Sequence, residues 1–262
     1  MKKNFSIFTV LLLLLTIVSG CRKELNPGRD EEIANTPLPG QPTYCRIESI
    51  WENPGGSNQA FYLVLYDEYE NPTAITTPVP GTAHPFHTFK YDNWHRLRQY
   101  LAMYGNGAFD TWHFYGYDLN GRIGVDTSYR LGEIAGDRPG VYHERSITKF
   151  EYDSQGRIIK EVTDFQMTSF HEEKTYSYDA DGNLIYPPGS GIVYDGKVNL
   201  NRTNDIWMFL QRDYSKNNPF IANAYNSSGF PTVINISRFL FWVRDHQLSH
   251  SQISYSCREA YW

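Results

Sequence analysis

Residues 150–158 read FEYDSQGRI, and this short motif recurs along the chain. Its key positions are an aromatic residue, the pair Tyr-Asp, a Gly three residues after the Asp, and then Ile or Leu two residues further on. Residues 115–123 (YGYDLNGRI) and 176–184 (YSYDADGNL) match at each of them, and residues 89–97 (FKYDNWHRL) match except that His95 replaces the Gly. A recurring motif indicates a repeated structural unit, so it constrains the architecture before any other feature of the sequence.

The motif has the chemistry of a β-hairpin. Alternation places the aromatic side chains on one face, Asp caps the turn, and Gly supplies the positive φ of a short bulged loop. Looser copies at 66–67, 194–198 and 225–230 make the spacing irregular, which favours a meander over a strict solenoid. Aromatic residues make up 16% of the chain, which also favours strands. We predict an all-β domain, an antiparallel meander of hairpins that is curled or closed into a barrel-like sheet.

Residues 1–20 have the pattern of a signal peptide. Lys2 and Lys3 precede an apolar run, residues 5–18, that is too short to span a bilayer comfortably. The run ends in small residues before Cys21, and this ending resembles the lipobox of bacterial lipoproteins, in which the cysteine carries the lipid. That resemblance implies that Cys21 is the lipidated N-terminus of the mature protein. The alternative is an ordinary secretory signal followed by an unrelated cysteine.

The sequence divides into three parts: the signal peptide 1–20, a lipidated and flexible tether at 21–43, and a single β domain at 44–262. The tether is rich in Pro and charge and has no periodic apolar face. Without residues 1–20, 22 Lys and Arg face 29 Asp and Glu, a net charge of −7 that does not favour nucleic acid. We expect a membrane partner through the lipid anchor and a location in the cell envelope, on the outer membrane, with its periplasmic or surface face left open.

Cys45 and Cys257 lie near the two ends of the predicted domain, each in a strand-like run. If the first and last strands are neighbours, a disulfide could join them in this oxidising compartment. Two separate buried thiols are the alternative.

The Tyr-Asp-x-x-Gly-x-Ile/Leu pattern resembles the YD repeat of Rhs-type and teneurin-like proteins, discontinuously over residues 61–198. Together with the lipobox and the Pro-rich tether, it makes the chain similar to small Bacteroidota lipoproteins of unknown function, some with a porin-like or calycin-like fold. The resemblance implies an antiparallel sheet that curls or closes. It implies no catalytic residues, because the repeat contains none.

Several segments between and beyond the copies are harder to assign. Residues 94–103 fit a helix or a returning strand, and we expect the strand because the segment follows a repeat turn. Residues 199–210 read as a loop with a short segment. Strands are expected over 232–236 and 253–257.

No motif indicates catalysis, a cofactor or a metal. The pairs His84/His87 and His246/His250 come without a matching carboxylate or cysteine pair in sequence. Residues 179–183 echo the start of a calcium loop, but the Gly comes too early and a hairpin turn explains the same residues. A Gly-rich phosphate loop and a Gly-x-Ser-x-Gly elbow are missing from the sequence. We therefore predict a non-enzymatic protein without cofactor or metal.

Binding is the strongest functional hypothesis. A tethered β domain rich in Tyr and Trp could hold a glycan or an apolar, lipid-like ligand on Trp51, Trp94, Trp112 and Trp207. Alternatively these aromatic side chains fill the interior, and the protein is a structural or interaction lipoprotein. A hydrolase would need two acids brought together by the fold, and it is the third hypothesis.

Overall fold

A computed structural model describes residues 43–57, 59–78, 85–237, 240–243 and 246–259. The predicted signal peptide, Cys21 and the tether up to residue 42 lie outside the described residues. Within these ranges the chain is mostly β-structure, with a 13-stranded antiparallel sheet, a two-stranded sheet and one α-helix.

The strands are β1 (Thr43–Glu52), β2 (Ala60–Tyr66), β3 (Pro72–Thr76), β4 (Phe86–Tyr91), β5 (Leu97–Met103), β6 (Ala108–Tyr117), β7 (Ile123–Ala135), β8 (Arg138–Tyr152), β9 (Ile158–Phe165), β10 (His171–Thr175), β11 (Ala224–Tyr225), β12 (Pro231–Asn235), β13 (Phe241–Trp242), β14 (His246–Gln247) and β15 (His250–Glu259). The helix, α1, spans Asp205–Gln211 after a 3₁₀ turn at Leu200–Thr203. The large sheet runs from β10 in unbroken order to β1, then to β15, β12 and β11. The predicted meander of hairpins is confirmed, and the sheet is open, with β10 and β11 at its two edges.

The copies at 115–123 and 150–158 close their hairpins by the same bonds. In the copy that ends β8, Asp153 Oδ1 accepts hydrogen bonds from the backbone N–H groups of Gln155 and Arg157, both at 2.9 Å. Gly156 has a φ of +76°, a left-handed conformation that Gly adopts without a Cβ clash. The strand register shifts by one residue at Tyr152, which is the bulge that the motif predicts.

The tyrosine of each copy links its hairpin to the preceding one. Tyr152 donates its hydroxyl hydrogen to the backbone carbonyl of Ile123, 2.7 Å away, just after the turn of the preceding copy. Arg122 of that turn lies over the Tyr152 ring at 4.7 Å. The same hydroxyl bond runs from Tyr91 to Pro72, from Tyr117 to Leu97 and from Tyr178 to Ile158. The motif therefore builds the hairpin and also joins it to its neighbour.

The repeat weakens towards its end. The copy at 176–184 forms the turn, with Gly182 at a φ of +83°, but its flanks share only an isolated bridge between Tyr178 and Leu184. Residues 97–103 form the strand that was predicted there. Of the other two expected strands, 253–257 lies within β15, and β12 covers all of 232–236 except its last residue.

Helix α1 was not predicted, because residues 199–210 were assigned to a loop. Asn204 caps its first turn by accepting a hydrogen bond from Ile206 N–H, and Arg212 ends it at a φ of +54°. A helix of seven residues carries little periodic signal and depends on tertiary packing for its stability. Here that packing comes from Trp207 and Phe209, which fill the space beside one face of the sheet.

The main core lies between that face and α1. The Trp207 ring contacts Phe89 of β4 edge-to-face at 5.6 Å, and the Phe209 ring contacts Tyr115 of β6 at 5.4 Å. A second, smaller cluster of apolar side chains lies on strands β5 to β8, and its buried members are Leu101, Phe109 and Trp112.

Candidate functional site

The structure separates the four tryptophans that were predicted to bind a ligand. Trp112 and Trp207 are buried within the two apolar clusters, so burial removes both from any accessible site. Trp51 is exposed on β1, and Trp94 is exposed in the turn between β4 and β5. For Trp112 and Trp207, the alternative that aromatic side chains fill the interior is the correct one.

The two predicted cysteines are joined. Cys45 of β1 and Cys257 of β15 are direct cross-strand partners, and a disulfide connects them with a Cα–Cα distance of 4.1 Å. The bond ties the first strand of the domain to the last strand described, so its role is structural.

Trp94 occupies a position in the repeat that the turn itself does not use. It is the third residue after the motif tyrosine, between the capping Asp and the residue with positive φ. In the later copies this position holds small or polar residues, Asn120, Gln155, Asp181 and Ser228. In the first two copies it holds Tyr69 and Trp94, whose side chains are 55% and 69% exposed. Turn geometry does not explain two exposed aromatic rings on neighbouring turns.

The same two turns also depart from the repeat at the glycine. Glu70 and His95 stand where the later copies have Gly, with φ values of +63° and +60°. Glu70 has a structural reason, because its carboxylate forms ion pairs with Arg46 and Arg258. The ring of His95 stacks on Tyr69 of the neighbouring turn, with a centroid distance of 3.7 Å.

Trp94 is held by the arginine of its own turn. The Arg96 guanidinium lies 4.9 Å from the Trp94 ring and 4.3 Å from the ring of Tyr117, and its Nε donates to Asp92 Oδ2 at 2.9 Å. One face of the indole is thereby fixed while much of the ring stays exposed. We call Tyr69, Trp94, His95 and Arg96 together the turn platform.

The capping carboxylates of three repeat turns have a lowered pKa. Burial raises the pKa of Asp92, but hydrogen bonds from the backbone and guanidinium of Arg96 and from Trp94 N–H outweigh it and lower the pKa below its ordinary value. The same balance lowers the pKa of Asp118 and Asp153. Each of these three carboxylates is paired with the arginine four residues later.

A second exposed surface lies on β1 and β2. Phe61, Leu63 and Leu65 alternate on the solvent side of β2, and Trp51 of β1 is the cross-strand partner of Phe61. Beside Leu63 and Leu65, an open cleft of about 470 Å³ lies near the point where the register between β1 and β15 shifts, between Ile47 and Ser49. We call these four apolar side chains the β1–β2 face.

Only one of the two histidine pairs seen in sequence lies wholly within the described residues. His84 lies outside the described residues, and His250 is exposed whereas His246 is buried. Instead, one member of each pair meets the other inside the core, with the rings of His87 and His246 4.7 Å apart. Among the described residues, no group of three or more His, Cys, Asp or Glu side chains has the geometry to hold a metal ion.

One buried polar chain resembles a hydrolase triad in its hydrogen bonds. His113 Nδ1 is 2.8 Å from Asp126 Oδ2, and its Nε2 is 2.7 Å from the Thr111 hydroxyl. Thr111 is fully buried, however, so a substrate cannot reach that hydroxyl in this structure. The arrangement satisfies polar groups within the sheet and offers no accessible nucleophile.

The sequence interpretation missed Tyr69 and His95 as site residues. A position-by-position comparison of the copies nevertheless shows that both residues depart from the repeat. No helix in the described part of the chain is long and apolar enough to cross a membrane. No protein-family model matches the chain, and a search of curated proteins finds no similar sequence.

Proposed function

We propose that the chain is a non-enzymatic lipoprotein of a bacterial cell envelope that binds a glycan on the turn platform. The observation that carries the proposal is the pair of exposed rings, Tyr69 and Trp94, at two neighbouring turn positions where the hairpin geometry requires no aromatic residue. A fixed, half-exposed aromatic ring offers a flat apolar surface with a polar rim, which suits the face of a sugar ring.

The surroundings of the platform favour a glycan over an enclosed apolar ligand. In the sequence, Glu68 precedes Tyr69 and Asn93 precedes Trp94. Asn120 occupies the position of the third turn that Trp94 occupies in the second. Hydrogen-bonding groups therefore flank the aromatic surface. A lipid-like ligand would need an enclosed apolar cavity, whereas Trp207 and its neighbours already fill the main core.

Binding measurements on a Trp94→Ala variant test the proposal. A glycan array identifies the ligand, and calorimetry compares the affinities of the wild type, Trp94→Ala and Gln155→Ala. Gln155 is the matched control because it occupies the same turn position in a later copy. Loss of the stacking contact, worth about 0.5–1.5 kcal/mol, should weaken binding about two- to tenfold in Trp94→Ala alone. Equal affinities of the two variants would contradict the proposal.

The envelope location rests on the predicted lipidation of Cys21 and needs its own experiment. Cells expressing the full chain are labelled with a radioactive fatty acid, and the protein is compared with a Cys21→Ser variant. We expect label on the wild type and none on the variant. A labelled variant, or an unlabelled wild type, would show that Cys21 is not the anchor.

The β1–β2 face supports a second candidate, in which the protein is an interaction lipoprotein that docks an apolar segment of another envelope protein. The observation in its favour is the row of large exposed apolar side chains in cross-strand register, a feature that marks interaction sites. A photo-crosslinking amino acid at Leu63 should trap one discrete adduct in cells, and the same group at the exposed Val141 should not. Absence of an adduct at Leu63, or identical adducts at both positions, would reject this candidate.

A further inference from the structure

We infer that the glycan bound by the turn platform is linear and uncharged, and that it lies across successive turns, perpendicular to the strands. This inference rests on the proposed function and adds to it the class and orientation of the ligand. It follows from the spacing of the turns, the order of their exposed side chains and the pairing of their charges.

The repeat turns form a row at one end of the sheet. Strands β2 to β9 are hydrogen-bonded in sequence order, so the turns after β2, β4, β6 and β8 lie at the same end. Neighbouring turns are two strands apart, about 10 Å. Side chains connect them, since His95 of the second turn stacks on Tyr69 of the first and Arg96 of the second lies over Tyr117 beside the third. A ligand that contacts more than one turn must run along this row.

Large apolar side chains occupy only the first part of the row. Tyr69, Trp94 and the fully exposed Leu119 project from the first, second and third turns, whereas Ser154 and Gln155 form the fourth. Three turns span about 20 Å at the spacing of β-strands. That length accommodates several sugar units of an extended chain, and one sugar would reach a single turn.

The arginines along the row are already paired with carboxylates of the protein. Arg96 is paired with Asp92 at 2.8 Å and Arg122 with Asp118 at 2.9 Å. In the first turn, Glu70 forms ion pairs with both Arg46 and Arg258. An acidic polysaccharide would need cations that are free to pair with its carboxylates or sulfates. The arginines of the described turns are committed to carboxylates within the protein, so the row suits an uncharged glycan.

A length series tests this inference. The full-length protein is screened on an array of neutral and acidic linear oligosaccharides, with oligomers of β-linked glucose and mannose as neutral probes and oligogalacturonate as the acidic probe. Calorimetry then follows the neutral probe that binds, from the disaccharide to the hexasaccharide. We expect affinity to rise about tenfold over this range and acidic probes to bind more weakly. Tyr69→Ala should remove the gain with length, while the control variant Gln155→Ala should keep it.

The outcomes separate the two proposals. If no probe on the array binds, the proposed glycan-binding function fails. If a disaccharide binds as tightly as a hexasaccharide, or oligogalacturonate binds more tightly than the neutral probes, the function stands and the extended, uncharged ligand is overturned. A Tyr69→Ala variant that keeps the full gain with length would also overturn it. Circular dichroism of each variant checks that the exposed substitutions leave the fold unchanged.

Discussion

Removing one hydroxyl group should show whether the repeat tyrosines hold the hairpins together. In Tyr152→Phe the ring and the Arg122 guanidinium over it remain, and only the 2.7 Å hydrogen bond to the Ile123 carbonyl is lost. The net value of such a bond is about 0.5–1.5 kcal/mol, and leaving a buried carbonyl unpaired raises the cost to about 1–3 kcal/mol. Because Ile123 is 9% exposed, we expect a loss of about 1–2 kcal/mol in the free energy of unfolding.

Urea denaturation of the purified protein, followed by tryptophan fluorescence, measures this change as a lower midpoint at constant slope. For a domain of this size the loss corresponds to a decrease in Tm of about 2–8 °C. Tyr142→Phe is the control, because its hydroxyl forms no hydrogen bond with any described residue while its ring packs on Tyr129. Equal stabilities of Tyr152→Phe and Tyr142→Phe would refute the idea that the hydroxyl links neighbouring copies.

Three further substitutions test other parts of the fold. The pKa of Asp118 is lower in the folded state, so its contribution is present above the ordinary pKa of 3.8 and is lost as pH falls below it. Asp118→Asn should keep the turn, as Asn226 does in its own copy, and should flatten the fall of Tm below that pH in calorimetric scans. Cys45→Ala should lower the free energy of unfolding by about 5 kcal/mol, because the disulfide to Cys257 closes a loop of 212 residues; urea curves with and without reductant measure this difference. Gly156→Ala meets no atom within 4 Å but is strained at a φ of +76°, so equilibrium unfolding should show a cost of about 1–2 kcal/mol.

The hairpins could be predicted because their determinants are local. An Asp that accepts hydrogen bonds from the next few backbone N–H groups and a Gly at positive φ act within one short segment, as the Asp153 turn shows. The repeat therefore predicted the strand order of an antiparallel meander. Whether the sheet closes depends on the cumulative twist of many strands, and no residue encodes that quantity alone.

The exposure of individual tryptophans could not be predicted, because it depends on contacts between residues far apart in the chain. Trp94 and Trp112 both lie close to repeat copies, and nothing in their immediate neighbours distinguishes them. Trp112 is buried because Phe109 and Phe114 pack around it, at 5.8 Å and 5.5 Å between ring centroids. Likewise, His87 meets His246 only through packing between elements far apart in the chain. Such contacts are nonlocal, so they require the three-dimensional structure.

The two irregular turns are in contact through His95. A residue other than Gly in the left-handed region destabilises the fold by about 1–2 kcal/mol. His95 has this conformation, whereas the later copies have Gly at the same position. Its compensating contact is the stack on Tyr69, which exists only because the first turn lies beside the second. The first two turns are therefore a coupled pair, in which the departure from Gly at His95 has a structural counterpart in Tyr69. Strain that persists at an exposed surface with an aromatic partner is typical of a binding site, and here it coincides with the two most exposed aromatic rings of the repeat turns.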